Sequence, residues 1–183
     1  MTTLRNLLAG LLLAMAFGCT GGSGGGGGGT PPPPPATKLT YTDPGDSTQW
    51  RLTRNAASTA THLVLDVSAP ATASGRGVTL VLSCDPKVSW KAVDGAAYVK
   101  NLAYSGSLVQ KGSPQGQDLR VLLSQKPGTA VAYAGAPVLS VALDLVGGSL
   151  PGSLSLSAAQ GAHLGTAAAP EAVTVAVGTL KAE

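Results

Sequence analysis

Residues 78–84, with the sequence VTLVLSC, decide the fold class of this chain. Apolar side chains occupy every second position in this stretch: Val78, Leu80, Leu82 and Cys84. Residues 138–146 (VLSVALDLV) repeat the pattern with Leu139, Val141, Leu143 and Leu145. A period of two gives a β-strand one apolar face, whereas an amphipathic helix needs a period near 3.6. Both stretches therefore predict β-strands that are buried on one side.

The same alternation recurs along the chain. Residues 61–68, 118–124, 154–156 and 173–177 carry it, and shorter candidate strands are residues 39–42, 49–53, 88–93 and 98–103. Turn signals separate them, among them Asp43-Pro44-Gly45, Asp85-Pro86, Asp94-Gly95, Gly147-Gly148 and Pro151-Gly152. Eight to ten short strands, each with one apolar face, predict an all-β fold: a jelly-roll or immunoglobulin-like β-sandwich. Residues 158–169 stay ambiguous, because they are alanine-rich but Gly161 and Gly165 weaken a helix.

The amino terminus has the three parts of a secretory signal peptide. Arg5 is its positive charge, residues 7–17 are an apolar run too short to span a bilayer, and Gly18-Cys19 follows. Residues 16–19 resemble the lipobox of bacterial lipoproteins, although that family prefers Leu where this chain has Ala16. The resemblance implies cleavage after residue 18 and lipidation of Cys19. Ordinary signal-peptidase cleavage after Ala14-Met15-Ala16 is the alternative.

A linker and one domain follow the signal peptide. Residues 21–29 are glycine apart from Ser23, and residues 31–35 are proline. Such a segment stays a disordered tether, flexible in its glycine half and stiff in its proline half. We therefore expect a signal peptide at 1–18, a lipidated cysteine and linker at 19–37, and a sandwich domain at 38–183. Thr20 lacks the aspartate that marks inner-membrane retention in enteric lipoproteins, which favours a lipid-anchored place at the outer membrane.

Composition and residue chemistry exclude several function classes. Charged residues make up 11% and hydrophobic residues 44% of the chain, which is not the composition of a disordered protein. The net charge of +3 is scattered without a basic patch, so we expect no nucleic-acid partner. His62 and His163 each stand alone, and no Gly-x-Ser-x-Gly elbow is present. A Ser/His/Asp triad of distant residues is left open, but nothing points to one.

No metal, cofactor or catalytic set is therefore expected, and the domain is interpreted as non-enzymatic. Most aspartates lie at turns, where they cap their own backbone, and Asp43-Pro44-Gly45-Asp46 is interpreted as a turn rather than a calcium loop. His62 is expected on the polar face of a strand, and His163 in a loop. Cys84 continues the apolar face of its strand, so it is expected to be a buried, inert thiol.

Aromatic side chains are the remaining candidates for binding. Trp90 lies in line with Val88 and is expected in the core, whereas Trp50, beside Gln49 and Arg51, is the better candidate for exposure. Tyr98 and Tyr104 could join Trp50 in a platform for a sugar ring. Core or rim packing of these residues is nevertheless the preferred interpretation, and the glycan platform is the alternative.

One succession of motifs resembles the cohesin-like modules. Residues 78–84 lead into Asp85-Pro86, then into apolar Val88, Trp90 and Val93, then into Asp94-Gly95. Residues 138–146, 152–157 and 173–180 resemble the closing strands of such modules. The resemblance covers most of residues 61–183 and implies a jelly-roll sandwich, a fold shared with several carbohydrate-binding modules. Cys84 stands where the family usually has an aromatic residue, and Leu143 where it often has Phe.

These observations together predict a non-catalytic cell-envelope lipoprotein whose sandwich is a protein-interaction or scaffolding module. Its expected partners are the membrane, through the lipid, and an unknown envelope protein. The alternative is a carbohydrate-binding module on the cell surface that binds a polysaccharide through Trp50, Tyr98 and Tyr104.

Overall fold

The computed structural model describes residues 30–126, 128–167 and 169–183. The predicted signal peptide, Cys19 and the glycine half of the linker lie outside these residues. Residues 33–183 form one compact unit. Its first described contacts come from the end of the predicted linker, where the Ala36 N–H donates to Ser149 O and the Thr37 N–H to Glu183 O.

The described residues contain sixteen strands and no helix, which confirms the all-β prediction. The strands are β1 (Leu39–Thr42), β2 (Trp50–Arg54), β3 (His62–Ser68), β4 (Ser74–Gly75), β5 (Gly77–Cys84), β6 (Val88–Lys91), β7 (Lys100–Asn101), β8 (Leu108–Gln115), β9 (Asp118–Gln125), β10 (Val131–Ala132), β11 (Pro137–Leu145), β12 (Gly152–Leu154), β13 (Leu156–Leu164), β14 (Glu171–Ala172), β15 (Val175–Ala176) and β16 (Thr179–Ala182). Five of them (β4, β7, β10, β14 and β15) have two residues each, so the longer strands number close to the eight to ten expected.

Two large sheets form a sandwich. One has the order β15-β2-β3-β11-β6, with β7 also paired to β11, and the other has the order β14-β13-β5-β9-β8. Two small sheets complete the molecule: β1-β16-β12, which joins the first and last strands, and β10-β4. The pairs are antiparallel except for β15 with β2.

The core lies between the inner faces of the two large sheets. In one sheet Leu80 and Leu82 of β5 stand opposite Val121 and Leu119 of β9. In the other, the alternating residues of β3 and β11 pair in the same way, with Leu65 opposite Val141. All of these side chains are buried in one cluster. Burying each leucine side chain stabilises the fold by about 1.5–3 kcal/mol, so the period-two pattern specifies the register of both sheets.

The ambiguous stretch 158–169 is mostly strand. Residues 158–164 belong to β13, which pairs with β5 along its whole length and has a bulge between Ala158 and Gln160. Gly161 fits this position because a Cβ there would lie 2.9 Å from Val173 O and 3.1 Å from Leu80 Cδ2. The glycine that weakens a helix therefore permits close packing in a sheet.

Candidate functional site

The outer face of the β2-β3-β11-β6 sheet is closed by the chain itself. Val64, Asp66, Ser140 and Ala142 point away from the core, yet all four are buried. The Asn55 side chain, just after β2, donates to both oxygens of Asp66 at 3.0 and 2.8 Å, and the Ser140 hydroxyl donates at 2.6 Å. This buried carboxylate is thereby satisfied by neutral donors, and the centre of this face, along β3 and β11, is covered.

His62 lies at the end of this closed face. Its Nδ1 hydrogen-bonds Asp144, the residue opposite it on β11, and its Nε2 is 3.4 Å from Val93 O. The histidine is half-buried and held by neighbours on both ring nitrogens. His62 thus lies on the polar face of its strand, as expected, and there a cross-strand carboxylate holds the ring in a pair.

The outer face of the β14-β13-β5-β9-β8 sheet is uncovered among the described residues. Two rows of side chains cross its middle: Lys111, Leu122, Thr79 and Ala162 in one, and Ser113, Arg120, Val81 and Gln160 in the next. We call these eight residues the open face. All of them are exposed or half-buried, and Leu122 is 39% exposed although it is a leucine in the middle of a sheet.

The open face carries open depressions around Thr79. Four depressions share this residue, and one is almost wholly apolar, lined by Leu122, Ala162 and Leu164 among others. Lys111 and Arg120 give the β8 and β9 side two positive charges, and Asp118 nearby accepts a hydrogen bond from the Ser83 hydroxyl at 2.6 Å.

The aromatic platform that the sequence offered as an alternative is not formed, and Trp50 and Tyr104 follow the preferred interpretation of core packing. Trp50 is 5% exposed and Tyr104 is also buried, while Tyr98 is half-buried. Trp50 packs instead against Tyr133 and His163, with ring centroids 5.7 and 5.2 Å apart. The expectation that Trp50 is exposed was wrong because β2 lies between β15 and β3 rather than at an edge.

The sequence carried a signal for this burial. Trp50 and Leu52 alternate with Arg51 and Thr53, so the tryptophan shares the apolar face of its strand. Trp90 was expected in the core and is buried there, where its Nε1–H donates to Gln117 O at 2.8 Å. The described tryptophans thus belong to the core.

Cys84 is buried, as predicted from its place on the apolar face of β5. Its Sγ lies 3.8 Å from Val88 O and 3.6 Å from Gln117 Oε1. Burial, helped by the negative charges of Asp85 and Asp118, raises the pKa of this thiol to about 11. A thiol of this pKa is almost wholly protonated at neutral pH, which makes it a poor nucleophile.

Asp46 and Asp85 behave as the turn caps that the sequence predicted. Asp46 Oδ1 accepts the Thr48 N–H at 2.7 Å, and Asp85 Oδ1 accepts the Lys87 N–H at 3.0 Å. The hydrogen bonds from Thr48 lower the pKa of Asp46. Within the described part of the chain, no cluster of three or more His, Cys, Asp or Glu side chains is arranged to hold a metal ion.

A search of the described residues finds no helix with the length and apolar character needed to cross a membrane.

Comparisons with known proteins give a structural likeness but no match by sequence. No protein-family model matches the sequence, and no curated protein matches it. Among solved structures, the chain is similar to a type III cohesin module from the cellulosomal ScaE cell-surface anchoring scaffoldin of Ruminococcus flavefaciens, with a TM-score of 0.42 and 17% identity. The match covers 67% of this chain and 66% of that chain, slightly less than two thirds of the solved module.

Proposed function

We propose that this protein is an exported, lipid-anchored interaction module that binds another protein of the cell envelope through its open face. The observation that carries the proposal is the difference between the two large sheets. One outer face is closed by the chain's own segments, whereas the other leaves Leu122, Thr79 and Ala162 uncovered. An uncovered apolar centre with a charged margin is the arrangement that protein-interaction surfaces use.

A folded protein fits this surface better than a polysaccharide does. Sugar-binding sandwiches present an exposed aromatic ring, because the C–H face of a pyranose packs on a π surface. Trp50 and Tyr104 are buried here, which removes the observation behind the carbohydrate-binding alternative. The uncovered strand face instead suits a complementary protein surface, and Lys111 and Arg120 would favour a partner with carboxylates beside its apolar contact.

Capture from envelope extract tests this proposal. The tagged protein is incubated with the extract and retained proteins are identified by mass spectrometry. Leu122→Asp places a charge in the centre of the open face and Thr79→Arg fills the shared depression, so both should lose the partner. Leu102→Asp is the matched control, because Leu102 is also exposed (43% against 39%) but follows β7 on the other sheet.

A partner retained by all three variants would contradict the assignment of the open face. Retention of polysaccharide instead of protein, measured with the same variants, would favour the carbohydrate-binding alternative. Circular dichroism of each variant checks that the fold persists.

The lipid anchor is the second half of the proposal. It is supported by the lipobox-like residues 16–19 and by the length of the glycine and proline segment behind Cys19, which would let the domain reach away from a membrane surface. Acyl chains on Cys19 would hold the protein at the outer membrane, since two or more chains are needed for stable attachment. Labelled palmitate should enter the wild type and not Cys19→Ala, and equal labelling of both would contradict the anchor.

A further inference from the structure

His163 is a buried histidine that no proposed activity uses. It lies near the end of β13 and is 6% exposed. Its Nε2 has no hydrogen-bond partner among the described residues, although the atom is shielded from solvent. The rings of Trp50 and Tyr133 flank the imidazole, with centroids 5.2 and 5.8 Å away. A buried nitrogen without a partner is uncommon enough to need an explanation.

A weakly held pair of strands closes over this histidine. We call residues 73–75 and 131–133 the clasp. It contains the two-residue ladder of β4 with β10 and one further bond, from the Tyr133 N–H to Ala73 O at 3.0 Å. The Tyr133 hydroxyl is also hydrogen-bonded to that of Tyr104 at 2.6 Å. Because so few main-chain hydrogen bonds hold the clasp, its position depends on the packing of Tyr133 against Trp50 and Tyr104.

Gly75 is the point of contact between the clasp and the histidine. A Cβ at this position would overlap His163 Nε2, and it would lie 2.7 Å from Leu164 O and 2.8 Å from the Tyr133 hydroxyl. The imidazole edge is therefore pressed against the α-carbon of Gly75. Neither of these oxygens forms a hydrogen bond with Nε2, so a proton added to this atom would be buried without a hydrogen bond.

The groups around His163 favour its neutral form on balance. Burial lowers the pKa of His163. Two smaller effects raise it: the negative charge of Glu171, which lies opposite on β14, and a hydrogen bond with the Ser74 main chain. The effect of burial is the larger, so the pKa is lowered overall. The clasp contributes Tyr133, whose own pKa is raised by burial, so it is a neutral phenol. β2 contributes Trp50, which does not titrate.

We propose that His163 makes the clasp acid-sensitive: protonation of its imidazole detaches residues 73–75 and 131–133 from the end of the core and uncovers Trp50. This device is independent of the partner proposed for the open face. As the pH falls below 6.5, the ordinary pKa of histidine, the solvated imidazole of the opened state takes up a proton before the buried imidazole of the closed state does. The opened state is therefore favoured by up to about tenfold for each further pH unit, until the buried imidazole is itself protonated.

Hydrogen exchange of the full protein tests the proposal, with a purification tag free of histidine because the chain has only two. Between about pH 7 and about pH 5.5, the protection of the Tyr133 and Arg76 amides, corrected for intrinsic exchange, should fall about tenfold, while that of the β3–β11 amides stays constant. The fall should vanish in His163→Gln, which keeps a neutral polar side chain. His62→Gln should retain it, because His62 lies on the other sheet.

Two further measurements keep the test decisive. Gly75→Ala should lower the protection of the clasp at both pH values, since its methyl group would force the clasp away from His163. An NMR titration of the His163 ring in the wild type needs no variant, and a pKa at or above 6.5 would overturn the proposal. An equal fall in protection in the wild type and His163→Gln would overturn it too.

Discussion

Tyr41→Phe removes one oxygen atom at the place where the first and last strands meet. Tyr41 lies in β1, opposite Leu180 of β16. Its hydroxyl donates to Leu52 O at 3.1 Å and accepts the Gly178 N–H at 2.7 Å, so one atom joins β1, β2 and the segment before β16. The change deletes both hydrogen bonds and leaves a buried carbonyl and a partly buried N–H without this partner.

The expected loss of stability follows from those two bonds. Each contributes about 1 kcal/mol net, and a buried group left unsatisfied costs about 1–3 kcal/mol. Because water can reach part of the Gly178 site, we expect the free energy of unfolding to fall by about 2 kcal/mol, which for a domain of this size lowers Tm by about 4–8 °C. Van der Waals packing of the ring is unchanged, so the loss reports the hydroxyl alone.

Urea and thermal unfolding, followed by circular dichroism, measure this loss. Tyr98→Phe is the matched control, because its hydroxyl makes no hydrogen bond to the described residues and its removal should change stability by less than about 0.5 kcal/mol. A loss in Tyr41→Phe as small as that of the control would refute the argument that this hydroxyl joins the two ends of the chain.

Three further expectations test the fold. Leu123→Ala should lower the free energy of unfolding, measured in urea, by about 2–5 kcal/mol because Leu123 is fully buried. Leu122→Ala on the open face should lower it by less than about 1 kcal/mol. Similar losses in the two variants would mean that the register of β9 is wrong. Burial raises the pKa of Tyr41 from 10.0 to about 12. The neutral hydroxyl therefore contributes its full stabilisation of the fold below pH 10.0, and this stabilisation is lost as the pH rises to about 12. The urea midpoint should fall across this window, and less steeply in Tyr41→Phe. Iodoacetamide at about pH 8 should label Cys84 in urea and not in buffer, as read by peptide mass spectrometry, and fast labelling in buffer would contradict a buried thiol.

The strands that could be predicted are those with one apolar and one polar face. β1 was predicted with its observed bounds, and β3, β5, β9 and β11 within two residues at each end. β8 was missed because its sequence, LVQKGSPQ, has no apolar alternation. It is an edge strand whose side chains are exposed or half-buried, so no core contact requires an apolar residue at every second position.

The candidate site was harder to predict than the fold. The sequence pointed to aromatic residues as binding groups, but Trp50 and Tyr104 pack with Tyr133 inside the sandwich. The alternation of Trp50 and Leu52 with Arg51 and Thr53 indicated an inward tryptophan, but it does not show which aromatic residues pack together. The open face consists of ordinary residues such as Thr79 and Gln160, which carry no signal of binding until the strands are placed side by side.

The sequence by itself determined the all-β class, the inward residues of the long strands and the buried position of Cys84. These follow from a period of two, which depends only on neighbouring residues. Only the tertiary structure decided which outer face is closed, where Asp66 and Val64 are buried, and which is open, around Leu122. That outcome depends on where the segment carrying Asn55 comes to lie, a long-range arrangement that no strand encodes alone.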